Sequence, residues 1–165
     1  MTARAKVQPP ATKSAAGLYE RDLYAWTREQ AQLLREQRFD ELDLSNLIDE
    51  VESVGGSEKR EIRNRLAILL AHLLKWRFQP GARSNGWRGT IRDQRKEIEA
   101  ILEDSPSLRA YPGQVLARCY LSGHLRASEE TGIDFTLFPD ECPFTIEQVL
   151  DPDFLPKEVG LYNQS

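Results

Sequence analysis

The stretch "IRNRLAILLAHLLKWRF", residues 62–78, decides the fold. Its apolar side chains recur in steps of four and three residues, which places them along one face of an α-helix. A second apolar row lies beside the first, and a helix with two apolar rows has neighbours on both sides. The first row holds Ile62, Leu66, Leu69, Leu73 and Trp76, and the second holds Ala67, Leu70 and Leu74. The stretch therefore predicts a central helix of an all-α protein.

Further helical patterns lie on both sides of this stretch, at residues 18–38, 43–54, 85–104 and 106–131. The glycine pair Gly55-Gly56 precedes the central helix and costs a helix about 2 kcal/mol relative to alanine, so a break or kink is predicted there. Pro112-Gly113 should kink the last of these helices or split off its first turn. Short connections favour antiparallel neighbours. The sequence thus predicts an antiparallel bundle of four to five main helices, with an extended C-terminal arm that starts with "IDFTLFP" at 133–139.

The length and composition suit one globular domain. The chain has 165 residues, of which 40% are hydrophobic and 29% charged, as is usual for globular proteins. We predict a disordered tail at 1–17, a single bundle domain at 18–158 and a C-terminal tail at 159–165. The longest apolar run, residues 66–74, is far shorter than the roughly 20 residues of a membrane span. We therefore expect a cytoplasmic protein without a membrane partner.

Seven short motifs together resemble one protein family. They are Tyr19-x-x-Asp22 with Trp26, "LDLSNLIDE" at 42–50, "HLLKW" at 72–76, Trp87 followed by "TIRDQR" at 90–95, "SPSL" at 105–108, "CPFT" at 142–145 and "LDPDFLP" at 150–156. In this order and spacing they resemble the bacterial family called domain of unknown function 29. The resemblance implies an all-helical bacterial protein that is cytoplasmic and has no assigned reaction. It therefore supplies no catalytic residues.

The charges are arranged in blocks. Residues 59–96 carry eleven basic and two acidic groups, whereas 18–58 carry four basic and eleven acidic groups and 97–165 carry four and thirteen. A basic block with interleaved tryptophans could bind a nucleic-acid backbone and stack on bases. A basic helix folded between acidic ones could equally neutralise itself within the monomer. The net charge of −4 favours the second interpretation, because nucleic-acid-binding domains are usually strongly basic.

Polar residues beside apolar faces mark one candidate pocket, where the 42–50 helix, the 72–76 helix and the 87–95 helix are expected to meet. Its candidate residues are Asp43, Asn46, Glu50, His72, Lys75, Trp76, Trp87, Arg88 and Arg95. Opposite charges on neighbouring helices could shift one another's pKa, and His72 could exchange a proton near neutral pH. The alternative is a buried salt-bridge network without a ligand. The Glu-x-x-His pattern of di-iron bundles does not occur, and we expect neither a metal nor another cofactor.

These patterns favour a binding or interaction module, acting as a homodimer, over an enzyme. The basis is a strong helical core beside no recognisable nucleophile, metal or cofactor motif. Two alternatives stay open. One is nucleic-acid binding through the basic segment 59–96, and the other is an enzyme with an acid/base or metal site around His72.

Overall fold

The computed structural model describes residues 15–159. Among them are helices and turns but no strand, which confirms the predicted all-α class. The chain divides after Gly56 into two compact units. The helices are α1 (Ala15–Arg21), α2 (Leu23–Arg35), α3 (Leu44–Phe78), α4 (Asn85–Asp104), α5 (Tyr111–Thr131) and α6 (Ile146–Leu150), and short 3-10 turns lie at Phe39–Glu41, Pro80–Ala82, Pro106–Leu108 and Phe135–Leu137.

Two helices replace the single one predicted for residues 18–38. Asp22 separates α1 from α2 because its side chain accepts a hydrogen bond from the amide of Ala25 at 2.9 Å. An aspartate at this position is the N-cap of α2, so α1 ends at the residue before it. The prediction of one continuous helix here is therefore wrong, and α2 also ends before Arg38, at Arg35.

The long helix α3 runs without a break through Gly55-Gly56. The predicted break at these two glycines is wrong. Glycine costs a helix conformational entropy but keeps its backbone N–H, so every helical hydrogen bond can still form, unlike at proline. A helix of 35 residues tolerates a penalty of about 2 kcal/mol.

In the second unit, the C-terminal part of α3 packs against α4 in the antiparallel sense. Arg65 of α3 pairs with Glu97 near the end of α4 at 3.4 Å. Further toward the C-terminus of α3, the ammonium of Lys75 lies 4.6 Å from the ring centre of Trp87, near the start of α4. The two contacts run in opposite directions along the two helices, as the short connection between them predicts.

Helix α5 returns beside α3 in the parallel sense. Arg63 of α3 donates a hydrogen bond to the hydroxyl of Tyr111 at the start of α5, and Lys75 donates to Glu130 at its end. Between these contacts the backbones approach closely at Gly123, which is buried. The buried core of this unit is formed by Ile62, Leu66, Leu69, Leu70, Ala71, Leu73, Leu74, Phe78, Ile91, Ile98, Leu102, Cys119, Tyr120 and Ala127, together with Phe138, Phe144 and Val149 of the arm.

The C-terminal arm follows α5 and is less extended than predicted. Its first stretch, 133–139, contains a 3-10 turn because the Asp134 side chain accepts hydrogen bonds from both the amide and the hydroxyl of Thr136. Thr145 and Gln148 then form a reciprocal capping box at the start of α6. Pro112 lies in the first turn of α5, so the turn at Pro106–Leu108 is split from that helix as predicted.

The predicted tails, 1–17 and 159–165, lie outside the described residues except for 15–17, which belong to α1, and Val159. The single domain at 18–158 stays a prediction. Among the described residues, no helix combines the length and the apolar character that crossing a membrane requires.

The close approach of α3 and α5 gives a direct test of the packing in the second unit. A Cβ atom at Gly123 would lie 2.8 Å from the carbonyl oxygen of Ala67 and 3.0 Å from the Cβ of Leu70. We expect Gly123→Ala to lower the free energy of unfolding by about 1–3 kcal/mol, since neither neighbour is the end of a flexible side chain. The measurement is urea unfolding followed by circular dichroism.

Gly89→Ala is the matched control, because a Cβ at Gly89 meets nothing within 4 Å. Alanine should stabilise this helical position by up to about 1 kcal/mol. Equal stability of the two variants would contradict the packing described for Gly123.

Candidate functional site

The first unit contains a polar cluster around Asp43. The carboxylate of Asp43 accepts hydrogen bonds from the indole N–H of Trp26 at 3.2 Å and from the side-chain amide of Asn46 at 2.7 Å. The backbone amide of Asp43 donates to the side-chain carbonyl of Gln30 at 2.8 Å. Trp26 and Gln30 are each only 1% exposed. Since buried polar groups need partners, the cluster ties α2 to the start of α3.

Glu50 has a separate partner in the same unit. The Tyr19 hydroxyl donates a hydrogen bond to its carboxylate at 2.7 Å, and the ring of Tyr19 packs edge-on against Trp26 with centres 4.9 Å apart. The hydrogen bond to Glu50 is the largest influence on Tyr19 and raises the pKa of its hydroxyl. These contacts connect α1, α2 and α3 and account structurally for the Tyr19, Asp22 and Trp26 motif.

Removing the Asp43 carboxylate should destabilise the first unit. In Asp43→Ala the indole of Trp26 and the amide of Asn46 lose their shared acceptor, which should lower the free energy of unfolding by about 1–3 kcal/mol. Urea unfolding followed by Trp fluorescence measures the change. Asp49→Ala is the control, because Asp49 is exposed on the same helix. A similar loss in both variants would show that the helical acidic charge, not the cluster, is responsible.

The second unit contains a cluster around Lys75. Its ammonium donates a hydrogen bond to Glu130 at 2.7 Å and lies over the ring of Trp87, a favourable cation–π geometry. Lys75 is 6% exposed, so the lysine side of the ion pair is largely shielded from solvent. Arg126 also approaches Glu130, at 3.8 Å.

His72 lies on the same face of α3 as Lys75, one turn earlier. Its Nδ1 is 3.0 Å from the carbonyl oxygen of Ile68. A carbonyl can only accept, so Nδ1 carries the proton and Nε2 carries the lone pair. Burial is the largest cause that lowers the pKa of His72, and the positive charge of Lys75 adds to it. Partial burial acts to raise the pKa of Glu130, but the hydrogen bond and charge of Lys75 outweigh it, so that pKa is lowered.

The pKa of His72 predicts a pH dependence of stability. Because this pKa is below its ordinary value of 6.5, the unfolded chain takes up the proton first as the pH falls. The contribution of neutral His72 is therefore complete above pH 6.5 and is lost as the pH falls from there through the folded-state pKa. We expect the Tm to fall over this range in the native protein and to fall less steeply in His72→Gln. Identical slopes, measured by calorimetry, would contradict the buried neutral state of His72.

Trp76 lies apart from this cluster. The Arg83 guanidinium lies 5.1 Å from its ring centre, and Arg83 donates to the backbone carbonyl of Trp76 at 2.9 Å. Arg83 also pairs with Glu158 of the arm at 3.3 Å. Trp76 and Trp87 are half-buried, whereas Trp26 is buried in its unit as a core anchor.

Arg95 attaches the arm to α4. Its guanidinium donates to the carbonyl oxygens of Val149 at 2.8 Å, Phe154 at 2.9 Å and Pro152 at 3.3 Å. The residue is 6% exposed, and burial lowers the pKa of the guanidinium. Arginine suits this position because its planar fork of five donors can satisfy several carbonyls at once.

A cleft of about 540 Å³ lies between α4 and the arm, and we call it the α4 cleft. Arg88, Arg92 and Arg95 recur along one face of α4 at four- and three-residue spacing and reach this cleft. Its lining consists of Asn85, Arg88, Gly89, Ile91, Arg92, Arg95, Pro152, Asp153 and Leu155. The cleft is built entirely from residues of the second unit.

Seven of the nine predicted pocket residues therefore lie in three groups. Asp43 and Asn46 lie together, His72, Lys75 and Trp87 lie together, and Arg88 and Arg95 line the α4 cleft. Glu50 binds Tyr19 and Trp76 binds Arg83. The predicted pocket would join residues of two units and stays a prediction. Sequence reasoning missed Glu130 and Asp153, because nothing in their local spacing distinguishes them from the other acidic residues of 97–165.

Among the described residues, no group of three or more histidine, cysteine or acidic side chains is arranged to hold a metal ion. Cys119 and Cys142 are both free thiols, and burial raises the pKa of each. Neither thiol is therefore activated as a thiolate by its surroundings.

Fold and side-chain clusters together define an all-α protein with a three-helix second unit, which the arm covers on one side, and a small helical first unit. The family model described as "Domain of unknown function DUF29" matches residues 18–155. The chain belongs to this family, as the seven motifs predict. No curated protein matches the chain, and no solved structure does.

Proposed function

We propose that this protein is an interaction module that forms a homodimer through its first unit. The observation that carries the proposal is that this unit exposes more large apolar side chains than it buries. Among its described residues only Trp26, Gln30 and Leu33 are buried, whereas many large apolar side chains are exposed. The exposed set is Leu23, Tyr24, Leu34, Phe39, Leu44, Ile48, Val51 and Val54. Clustered exposed apolar side chains mark interaction surfaces.

Four of these side chains form a stripe on α3, which we call the α3 stripe: Leu44, Ile48, Val51 and Val54. The helical rotation of 100° per residue places them within an arc of about 120°. Val51 and Val54 are each 67% exposed. Such a stripe is the apolar seam that a second helix covers when two helices pair.

A second copy of the chain suits this stripe because the stripe is nearly symmetric about its own centre. Antiparallel pairing about a two-fold axis places Leu44 opposite Val54 and Ile48 opposite Val51, so each apolar side chain meets another. A two-fold interface requires this self-complementarity. The acidic residue Glu52 borders the stripe and is exposed, so the two copies repel each other modestly at low salt.

The dimer has a mutational test. We expect the native protein to sediment as a dimer at tens of micromolar and Ile48→Asp/Val51→Asp to sediment as a monomer, because four carboxylates would enter the apolar seam. Leu121→Asp/Leu125→Asp is the matched control, since both leucines are exposed on α5 of the second unit. A monomeric native protein, or a control that dissociates equally, would refute the proposal.

Salt separates a second copy from a basic partner on the same stripe. Screening reduces the repulsion between like-charged copies, so the homodimer should strengthen as ionic strength rises. Association with a basic helix would weaken under the same change. Sedimentation at about 0.05 M and 0.5 M salt makes the comparison.

An acid/base role of His72 is the enzyme alternative, and one observation supports it. The tautomer that Ile68 imposes leaves the lone pair on Nε2, and the lowered pKa of His72 keeps the ring neutral near neutral pH. A neutral imidazole can accept a proton as a general base. Against this alternative, Lys75 and Glu130 already satisfy each other, so the surrounding charges form a complete ion pair without a substrate.

Nucleic-acid binding through 59–96 has less support. Several basic side chains of this segment pair with acidic residues of the same unit, among them Arg65 with Glu97 and Lys75 with Glu130. The guanidinium of Arg95 already donates hydrogen bonds to the carbonyl oxygens of the arm. These pairings favour the interpretation that part of the basic segment is neutralised within the chain.

A further inference from the structure

Arg88 and Arg92 are exposed basic side chains that line the α4 cleft. Arg92 contacts Asp93 at 3.0 Å on the exposed side of α4, with both side chains more than half exposed. Arg88 makes no ion pair with the described residues. Asp153 is the one carboxylate among the residues that line the cleft. Three guanidinium groups and one carboxylate thus line this concave space, and one of the three, Arg92, is paired with Asp93 outside the lining.

The cleft has a rigid wall because Arg95 fixes the arm. The carbonyl oxygens of Pro152 and Phe154 are bound to the Arg95 guanidinium, so the segment that carries Asp153 and Leu155 is held against α4. This wall is in place before a ligand arrives, which reduces the ordering cost of binding. The planar guanidinium fork matches the oxygen atoms of phosphate and carboxylate groups.

The start of α4 adds to this positive field. Asn85, the first residue of the helix, and Gly89, one turn later, both line the cleft. The helix dipole is positive at this end. Gly89 has no side chain, so the helix backbone is open to the cleft at the level of Arg88 and Arg92.

A smaller apolar space adjoins the cleft. It measures about 270 Å³ and shares Arg92, Arg95 and Pro152 with the cleft, and it continues to Leu150, Lys96 and Glu99. A ligand that fills both spaces needs an anionic group at one end and a compact apolar body at the other. The combined volume of the two spaces falls in the range of small-molecule sites. The arm closes these spaces on one side.

We propose that the α4 cleft binds a small phosphomonoester, with the phosphate between Arg88 and Arg92 at the start of α4 and a compact apolar body against Leu150 and Pro152. The guanidinium groups of Arg88 and Arg92 can bind the oxygen atoms of the phosphate, which is a dianion near neutral pH. This site belongs to the second unit, and it stands independently of dimerisation through the first.

The experiment uses phenyl phosphate as the probe and the full-length chain, with binding measured by calorimetry and by the shift in Tm. We expect a Kd below about 1 mM at low salt and a rise in Tm with probe concentration. Arg88→Gln/Arg92→Gln should weaken binding at least tenfold. Arg109→Gln/Arg118→Gln removes the same charge from exposed positions of the second unit and should bind as the native protein does.

A second variant fills the cleft without removing a charge. Gly89→Leu adds a side chain where a Cβ meets nothing within 4 Å, and leucine favours a helix more than glycine does. Its Tm should equal or exceed that of the native protein while phenyl phosphate binding is lost. Loss of binding in this variant cannot be attributed to failure to fold.

Three results would overturn the proposal. The first is no binding of phenyl phosphate at about 5 mM, well above the expected Kd. The second is native-like binding to Gly89→Leu, which would place the anion on the surface instead of in the cleft. The third is preferential binding of a short oligonucleotide over phenyl phosphate, with a steep fall as salt rises, because that result identifies a nucleic-acid backbone as the ligand.

Discussion

The close approach of α3 and α5 at Gly123 is the constraint on which the second unit depends. A side chain there would collide with the backbone of α3 at Ala67 and Ala71, so the separation of the two helices is set by the absence of a Cβ. That separation brings Lys75 within reach of Glu130 and Arg63 within reach of Tyr111. Tyr120 and His124 of the same helix face the arm, where they donate hydrogen bonds to the carbonyl oxygens of Pro139 and Phe135.

The arm completes this unit by a different kind of interaction. Helices α3, α4 and α5 are joined mainly by apolar packing, which is not directional. The arm combines the buried side chains of Phe144 and Val149 with the directional hydrogen bonds of Arg95. The apolar contacts supply much of its attachment, and the guanidinium fixes its path. The shape of the α4 cleft follows from that path.

Much of the fold could be predicted from the sequence, because helical periodicity and capping are local. The two apolar rows of the central helix, the cap at Ser84 and the capping box of Thr145 with Gln148 are all visible in short windows. The break at Asp22 was missed because the apolar pattern continues on both sides of it. The cap that its carboxylate forms interrupts the helix without interrupting that pattern. The break at Gly55-Gly56 was predicted wrongly because a propensity says what a helix costs and not whether the rest of the chain sustains it.

The clusters were harder to predict than the helices. The charge blocks suggest that basic and acidic segments pair, but they do not show which residues pair, since Lys75 and Glu130 are 55 positions apart. The role of Arg95 could not be inferred, because its acceptors are backbone carbonyls and these leave no mark in a sequence. Asp43 was selected as a pocket residue for the same polar character that makes it the acceptor of Trp26.

The attachment of the arm by Arg95 also has a consequence for the order of folding. The donor and its acceptors are 54 to 59 positions apart, so they meet only by closing a long loop, whereas the helices form from neighbouring residues. A guanidinium cannot be buried without acceptors. During synthesis the Arg95 face of α4 must therefore stay in contact with water until residues 148–154 have been made. The same charge that fixes the arm in the finished protein thus keeps an incomplete chain from closing over α4 too early.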